Sequence, residues 1–94
     1  MNNFGTLVKK IREEKGISIE QLEKKGAFPQ PGYVAAIEEG TLIPEYPYFL
    51  ALALSLGIQP LHSKEEDDKY WNPLFREWDI LAQDGRGSHE PLTS

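Results

Sequence analysis

The stretch "IREEKGISIEQL", residues 11–22, decides how this chain folds. Within it one helix ends, the chain reverses and a second helix begins. Lys15-Gly16 pairs a cation with a residue free to take positive φ, a combination that closes a helix. Ser18 then stands three residues before Gln21, the capping-box spacing. Its hydroxyl takes the Gln21 amide while the Gln21 side chain reaches back to the cap. Ile17 and Leu22 flank the cap as a hydrophobic staple. A second helix over Ile19 to Lys25, stopping at Gly26, is the expectation.

Upstream, Phe4, Leu7, Val8 and Ile11 recur at helical spacing and define one buried stripe, with Asn2 or Asn3 as the cap. Downstream, Pro29-Gln30-Pro31 predicts a third helix with Pro31 at its first position, Gly32 in its first turn, Val34 and Ile37 inward, and Gly40 as its stop. A fourth helix starts around Glu45–Pro47 and ends at Leu56, before Gly57. Phe49, Leu50, Leu52, Ala53 and Leu56 make it apolar on most of its circumference, so it is expected to be the most buried element. After Pro60, Ser63-Lys-Glu-Glu66 repeats the capping-box form. Asn72-Pro73 is read as the cap and first position of a last helix reaching about Ala82. This region carries Tyr70, Trp71, Leu74, Phe75, Trp78 and Leu81. Residues 84–94 show no periodicity and are expected to be a flexible tail.

The chain has 94 residues, 39% of them hydrophobic, which is enough for one globular domain and too apolar for a disordered chain. It has no cysteine, so no disulfide framework and no thiolate metal site is expected, in keeping with a reducing cytoplasm. No apolar run reaches membrane-spanning length, and the N-terminus lacks the pattern of a secretory signal. The net charge of −5 is unevenly placed. Residues 1–43 balance six cations (Lys9, Lys10, Arg12, Lys15, Lys24, Lys25) against six anions (Glu13, Glu14, Glu20, Glu23, Glu38, Glu39). Residues 44–94 hold four cations and nine anions, which accounts for all of the −5. Long-range attraction of nucleic acid is therefore weak, and any such binding needs a local basic face.

Several punctuation signals together carry a resemblance. "IREEKGISIEQL", then "IEEG" (Ile37–Gly40), Pro44 and "FLALALSLGI" (Phe49–Ile58) resemble the Xre family of lambda-repressor-like helix-turn-helix domains over residues 4–58. The resemblance implies an all-α fold, a compact four- to five-helix bundle over residues 1–60; the aromatic stripe further on predicts an extra C-terminal helix over 61–83, packing on that bundle or on a dimer partner. It also implies a small DNA-binding transcriptional regulator, acting as a homodimer on double-stranded DNA.

Carried over by position, the start of the third helix would reach base edges through Gln30, Pro31, Gly32, Tyr33 and Ala36. Lys24, Lys25 and Thr41 would be the phosphate contacts, and Arg12 and Glu38 a structural ion pair. The first residue of the second helix is Ile19, which offers phosphate no hydrogen bond, and no arginine stands where guanine would be read. The segment between Leu22 and Glu38 is also one residue longer than the family pattern.

A second resemblance rests on the tyrosine-bearing third helix ending "AIEEG". It is to the cytoplasmic helix-turn-helix domain of the bacterial cell-shape protein RodZ, and it implies a protein–protein interaction module that does not bind DNA. Tyr46, Tyr48, Tyr70, Trp71, Phe75 and Trp78 are then the candidate partner or dimer contacts. Four adjacent carboxylates, Glu65–Asp68, do not converge on one point and read as a solvated face. No phosphate loop, nucleophile motif or paired acids stand out, so neither an enzyme, a cofactor nor a metal site is expected.

Overall fold

The computed structural model describes residues 3–61 and 63–87, with side chains as far as Gln83. Helix α1 (Asn3–Glu14) buries Phe4, Val8 and Ile11 of the predicted stripe, and Leu7 is partly buried against them. It closes at Gly16, whose φ of 69° is a left-handed value, and the Ile17 amide donates back to the Arg12 carbonyl at 3.1 Å. Helix α2 (Ile19–Lys25) follows with both halves of its capping box formed: Gln21 N–H to Ser18 Oγ at 3.0 Å, and Ser18 N–H to Gln21 Oε1 at 2.9 Å.

Helix α3 (Tyr33–Glu39) begins later than expected. Pro31 lies outside it, and Gly32 is its cap rather than a first-turn residue, with φ 80°. That conformation costs glycine little and other residues more, so Gly32 here is a turn-forming residue and not a weak point inside a helix. Gly40 closes α3 at φ 87°, donating to the Ala36 and Ile37 carbonyls. Helix α1 lies close against α3 because Gly5 is in the way of nothing. A Cβ there would stand 2.5 Å from the Ile37 carbonyl oxygen and 2.7 Å from that of Glu38.

Helix α4 (Tyr46–Ser55) sends Phe49, Leu52 and Ala53 into the core. Of the residues that led to the expectation of a most buried helix, Phe49, Leu52, Ala53 and Leu56 are buried and Leu50 partly so, but the rest of its circumference is not covered. Tyr46 is 46% and Leu54 51% exposed, and Pro47 is exposed as well.

The C-terminal part also departs from expectation. Helix α5 (Lys64–Glu66), a π-helical segment (Asp67–Trp71) and α6 (Asn72–Gly87) run on from one another as one rod. The α-helical register of α6 does begin at Asn72, as expected, but Asn72 is itself helical (φ −64°, ψ −44°) and continues the π-helical segment instead of capping a new helix. Pro73 has no N–H for the carbonyl four residues back. The chain passes it in the wider register, with the Asn72 amide donating to the Asp67 carbonyl. Ser63 caps the rod by accepting the Glu66 amide at 3.1 Å. Asp68 braces the wide turn between Lys64 Nζ and Asn72 Nδ2, both at 3.0 Å. The Lys64 bond is the first reason its carboxyl lies below the ordinary aspartate range, and the Asn72 bond the second. The backbone of 84–87 is still helical, so the expected tail cannot begin at 84; its remainder, 88–94, falls outside the described residues.

The rod is no separate extension. Leu74, Trp78 and Ala82 join the core formed by α1 to α4. Phe49, fully buried, is the hub: its ring is 4.9 Å from that of Trp78 and stacked on it, 5.3 Å from Trp71 and 5.8 Å from Phe4. Trp78 also donates from Nε1 to the Pro44 carbonyl at 2.7 Å, tying the α3–α4 loop to α6. The described residues thus form a small all-α bundle with no strand.

Candidate recognition surface

The α2–α3 face is the first place to look for a binding surface, and the key residue there is Glu23. It lies on α2, one turn after the capping box, and is half-buried. Its Oε1 accepts the Gly32 amide and its Oε2 the Val34 amide, both at 3.2 Å. These are N–H groups that a helix N-terminus otherwise offers to an anion. Here an internal carboxylate already occupies them. Sequence reasoning passed over Glu23, because on α2 alone it is an ordinary polar position. It acquires a role only when the longer loop returns to it.

Around that cap the candidate base-reading residues separate. Gln30, Pro31 and Gly32 are exposed but lie in the turn before α3, and Ala36 is half-buried. Tyr33 is only 6% exposed. Its ring stacks on Phe28 at 5.4 Å and meets the edge of Tyr48 at 5.6 Å. The expectation that Tyr33 faces bases is therefore corrected: the ring belongs to the core. Burial, with the Glu45 charge second, holds its phenol above the ordinary tyrosine pKa, while a backbone hydrogen bond at Glu45 opposes this.

Lys24 and Lys25 are exposed at the end of α2, where their charge also suits the helix dipole. The Thr41 hydroxyl donates to the Ala36 carbonyl at 3.2 Å and completes the C-terminal turn of α3. Helix α3 itself carries no cation; its charges are Glu38 and Glu39. Arg12 and Glu38 form the expected pair, inside the protein: Nε to Oε2 at 2.7 Å and Nη2 to Oε1 at 3.1 Å, with Nη1 donating to the Ile17 carbonyl at 2.9 Å. The bond to Glu38 is the main reason the guanidinium pKa is raised, with burial opposing it.

The aromatic candidates divide as well. Trp78 is buried in the protein's own core, so it is corrected from a partner contact to a packing residue. Tyr48, Tyr70 and Trp71 are half-buried. The Lys15 ammonium lies 4.6 Å and that of Lys69 5.2 Å from the Tyr70 ring centre, which links the end of α1 to the π-helical segment. Phe75 at 37% and Tyr46 at 46% exposure remain available at the surface.

Tyr46 shares a cleft of about 310 Å³ with Ile43, Pro44, Glu45, Trp78, Leu81 and Ala82. Beyond that cleft Tyr46, Leu50 and Leu54 follow at steps of four along α4; Tyr46, Pro47 and Leu54 are exposed, while Leu50 and Ala51 are partly buried. The sequence marked α4 as apolar on most of its circumference, which predicts burial and does not say which part stays uncovered.

Among the described residues no helix is long and apolar enough to cross a membrane. Compared with known proteins, the chain matches no family model, no curated protein and no solved structure.

Proposed function

We propose that this chain is a helix-turn-helix domain of the Xre type turned to protein recognition, with an uncharged apolar helix as the kind of partner it takes. One observation carries the reading. The Glu23 carboxylate closes the N-terminus of α3 through the Gly32 and Val34 amides, and so places negative charge where DNA phosphates and base edges would approach. The acidic balance of the whole chain and the absence of any cation on α3 act in the same direction. The surface available instead is apolar: Ile43, Tyr46 and the outer row of α4.

A second reading, DNA binding, draws support from Lys24, Lys25 and Gln30, all exposed around the α2–α3 turn, together with the family resemblance. Anisotropy of labelled duplexes from upstream of the protein's own gene, titrated from low to physiological salt, separates the two. Protein recognition predicts no saturable binding that survives nonspecific competitor, and some recovery of weak low-salt binding in Glu23→Gln. Competitor-resistant binding that falls linearly with log salt and is lost in Lys25→Glu would establish the DNA reading instead.

A further inference from the structure

The cleft between the α3–α4 loop and α6 combines aromatic rings with a carboxylate, and we infer that it is a binding site for a small organic cation, specifically a quaternary ammonium group. The inference goes beyond the protein-recognition reading: its ligand is a small molecule, and it stands whether or not α4 takes a partner. Charge, aromatic walls and a shortage of hydrogen-bond acceptors lead to it.

The lining of the cleft contains one charged side chain, Glu45, and no lysine or arginine. Glu45 is exposed, and although it stands at the cap of α4 its carboxylate accepts no amide there. The ion pairs among the described residues are Arg12–Glu38 and Lys64–Asp68, so this carboxylate has no counter-charge within the protein. Apart from Ile43, the lining comes from residues 44–94, which hold nine anions against four cations. Such a field draws a cation in and keeps an anion out.

Two rings stand beside that carboxylate. Tyr46 is 46% exposed, and its ring lies 5.7 Å from that of Trp78, centre to centre, at 57° between planes. The face of an aromatic ring is negative, so a cation set against it is attracted, and more strongly as water is excluded. Trp78 is fixed before any ligand arrives, by its stack on Phe49 and by the bond from Nε1 to the Pro44 carbonyl. A wall held in place adds no ordering cost on binding.

Hydrogen-bond acceptors decide which cation fits. Ile43, Leu81 and Ala82 complete the lining with apolar side chains, and the Pro44 carbonyl already accepts the Trp78 N–H. A primary ammonium brings three donors and finds too few partners for them after losing its water. A quaternary ammonium has no donor to satisfy, and its methyl groups suit the apolar lining. The cleft, about 310 Å³, is at the small end of small-molecule sites, so the ligand is a compact one held with a Kd on the order of 1 mM.

Choline is the probe. It is titrated into the whole chain to about 20 mM, replacing sodium chloride at constant ionic strength, with backbone amide and indole N–H signals followed by NMR. The expected result is saturable shifts at the Trp78 indole, Glu45 and Tyr46, while the indole of Trp71, which does not line the cleft, stays in place. Affinity is expected to fall at least about threefold in Glu45→Gln and in Tyr46→Leu. The uncharged isostere of choline, with a tert-butyl group for the trimethylammonium head, should bind at least about threefold more weakly than choline. Glu45→Gln changes an exposed side chain that makes no cap bond, so it keeps the wild-type thermal melt and decides the matter even if Tyr46→Leu loosens α4. No saturable shift, equal binding of the uncharged isostere, or an affinity unchanged in Glu45→Gln would each overturn the inference. The DNA titration is read without choline, so failure at this cleft leaves the protein-recognition reading to its own test.

Discussion

Removing Glu38 while leaving Arg12 in place is the perturbation whose size follows most directly from the structure. The side chains of Glu38 and Arg12 are 6% and 10% exposed, and Arg12 spends three of its donors inside the protein, two on Glu38 and one on the Ile17 carbonyl. In Glu38→Ala the guanidinium keeps only the Ile17 bond. Its positive charge stays in the core between α1 and α3 without a counter-charge. Breaking a buried pair from one side costs about 3–5 kcal/mol.

A domain of this size has roughly 5–15 kcal/mol to lose, so between about a fifth and all of its stability would disappear. At a urea dependence of about 1–2 kcal/mol per molar, the midpoint should fall by roughly 1.5–5 M. Equilibrium urea unfolding followed by tryptophan emission reads this through Trp71 and Trp78. The companion variant Arg12→Met with Glu38→Leu removes both charges and fills the space with apolar atoms. It should recover most of the loss, because the penalty belongs to the orphaned charge and not to the missing bond. A Glu38→Ala cost below about 1 kcal/mol, or a double variant as unstable as the single one, would refute the reasoning.

Three further outcomes are expected. Gly5→Ala should destabilise by about 1–3 kcal/mol in thermal unfolding, although alanine is the better helix former, because the new methyl meets two α3 carbonyls and forces α1 outward. Trp78→Phe keeps a ring against Phe49 but leaves the buried Pro44 carbonyl without its donor, a loss of about 1–3 kcal/mol measurable in urea. Tyr33 holds its proton more tightly folded than unfolded, so its contribution is fully present below the ordinary tyrosine value of about 10 and is lost as pH rises through that range. A phenolate absorbance titration of the native protein should show a late-ionising tyrosine that disappears in Tyr33→Phe.

What could be read from the sequence was whatever is decided within one helical turn. The capping box at Ser18, the left-handed stops at Gly16 and Gly40 and the α1 stripe each depend on residues three or four apart, and each is present as expected. The two proline signals turned out differently from the expectation. The proline pair before α3 was read as a helix start, but Gly32 takes a left-handed conformation and the Glu23 carboxylate satisfies the first amides from nine and eleven residues away. At Asn72-Pro73 the α-helix does begin where expected, but a five-residue register leads into it, so Asn72 is helical and not a cap.

The sequence by itself determined the helices, their order and the identity of the Arg12–Glu38 pair, because caps, stripes and stops act over distances the chain cannot escape. Only the tertiary structure decided which side chains face outward. Tyr33 is drawn in by Phe28 and Tyr48, Trp78 by Phe49 and the Pro44 carbonyl, and the second apolar face of α4 is left in water. Periodicity marks a face as apolar, but whether a neighbour covers it depends on how many other faces compete for one core. In a bundle this small, α4 has one face more than the core can take.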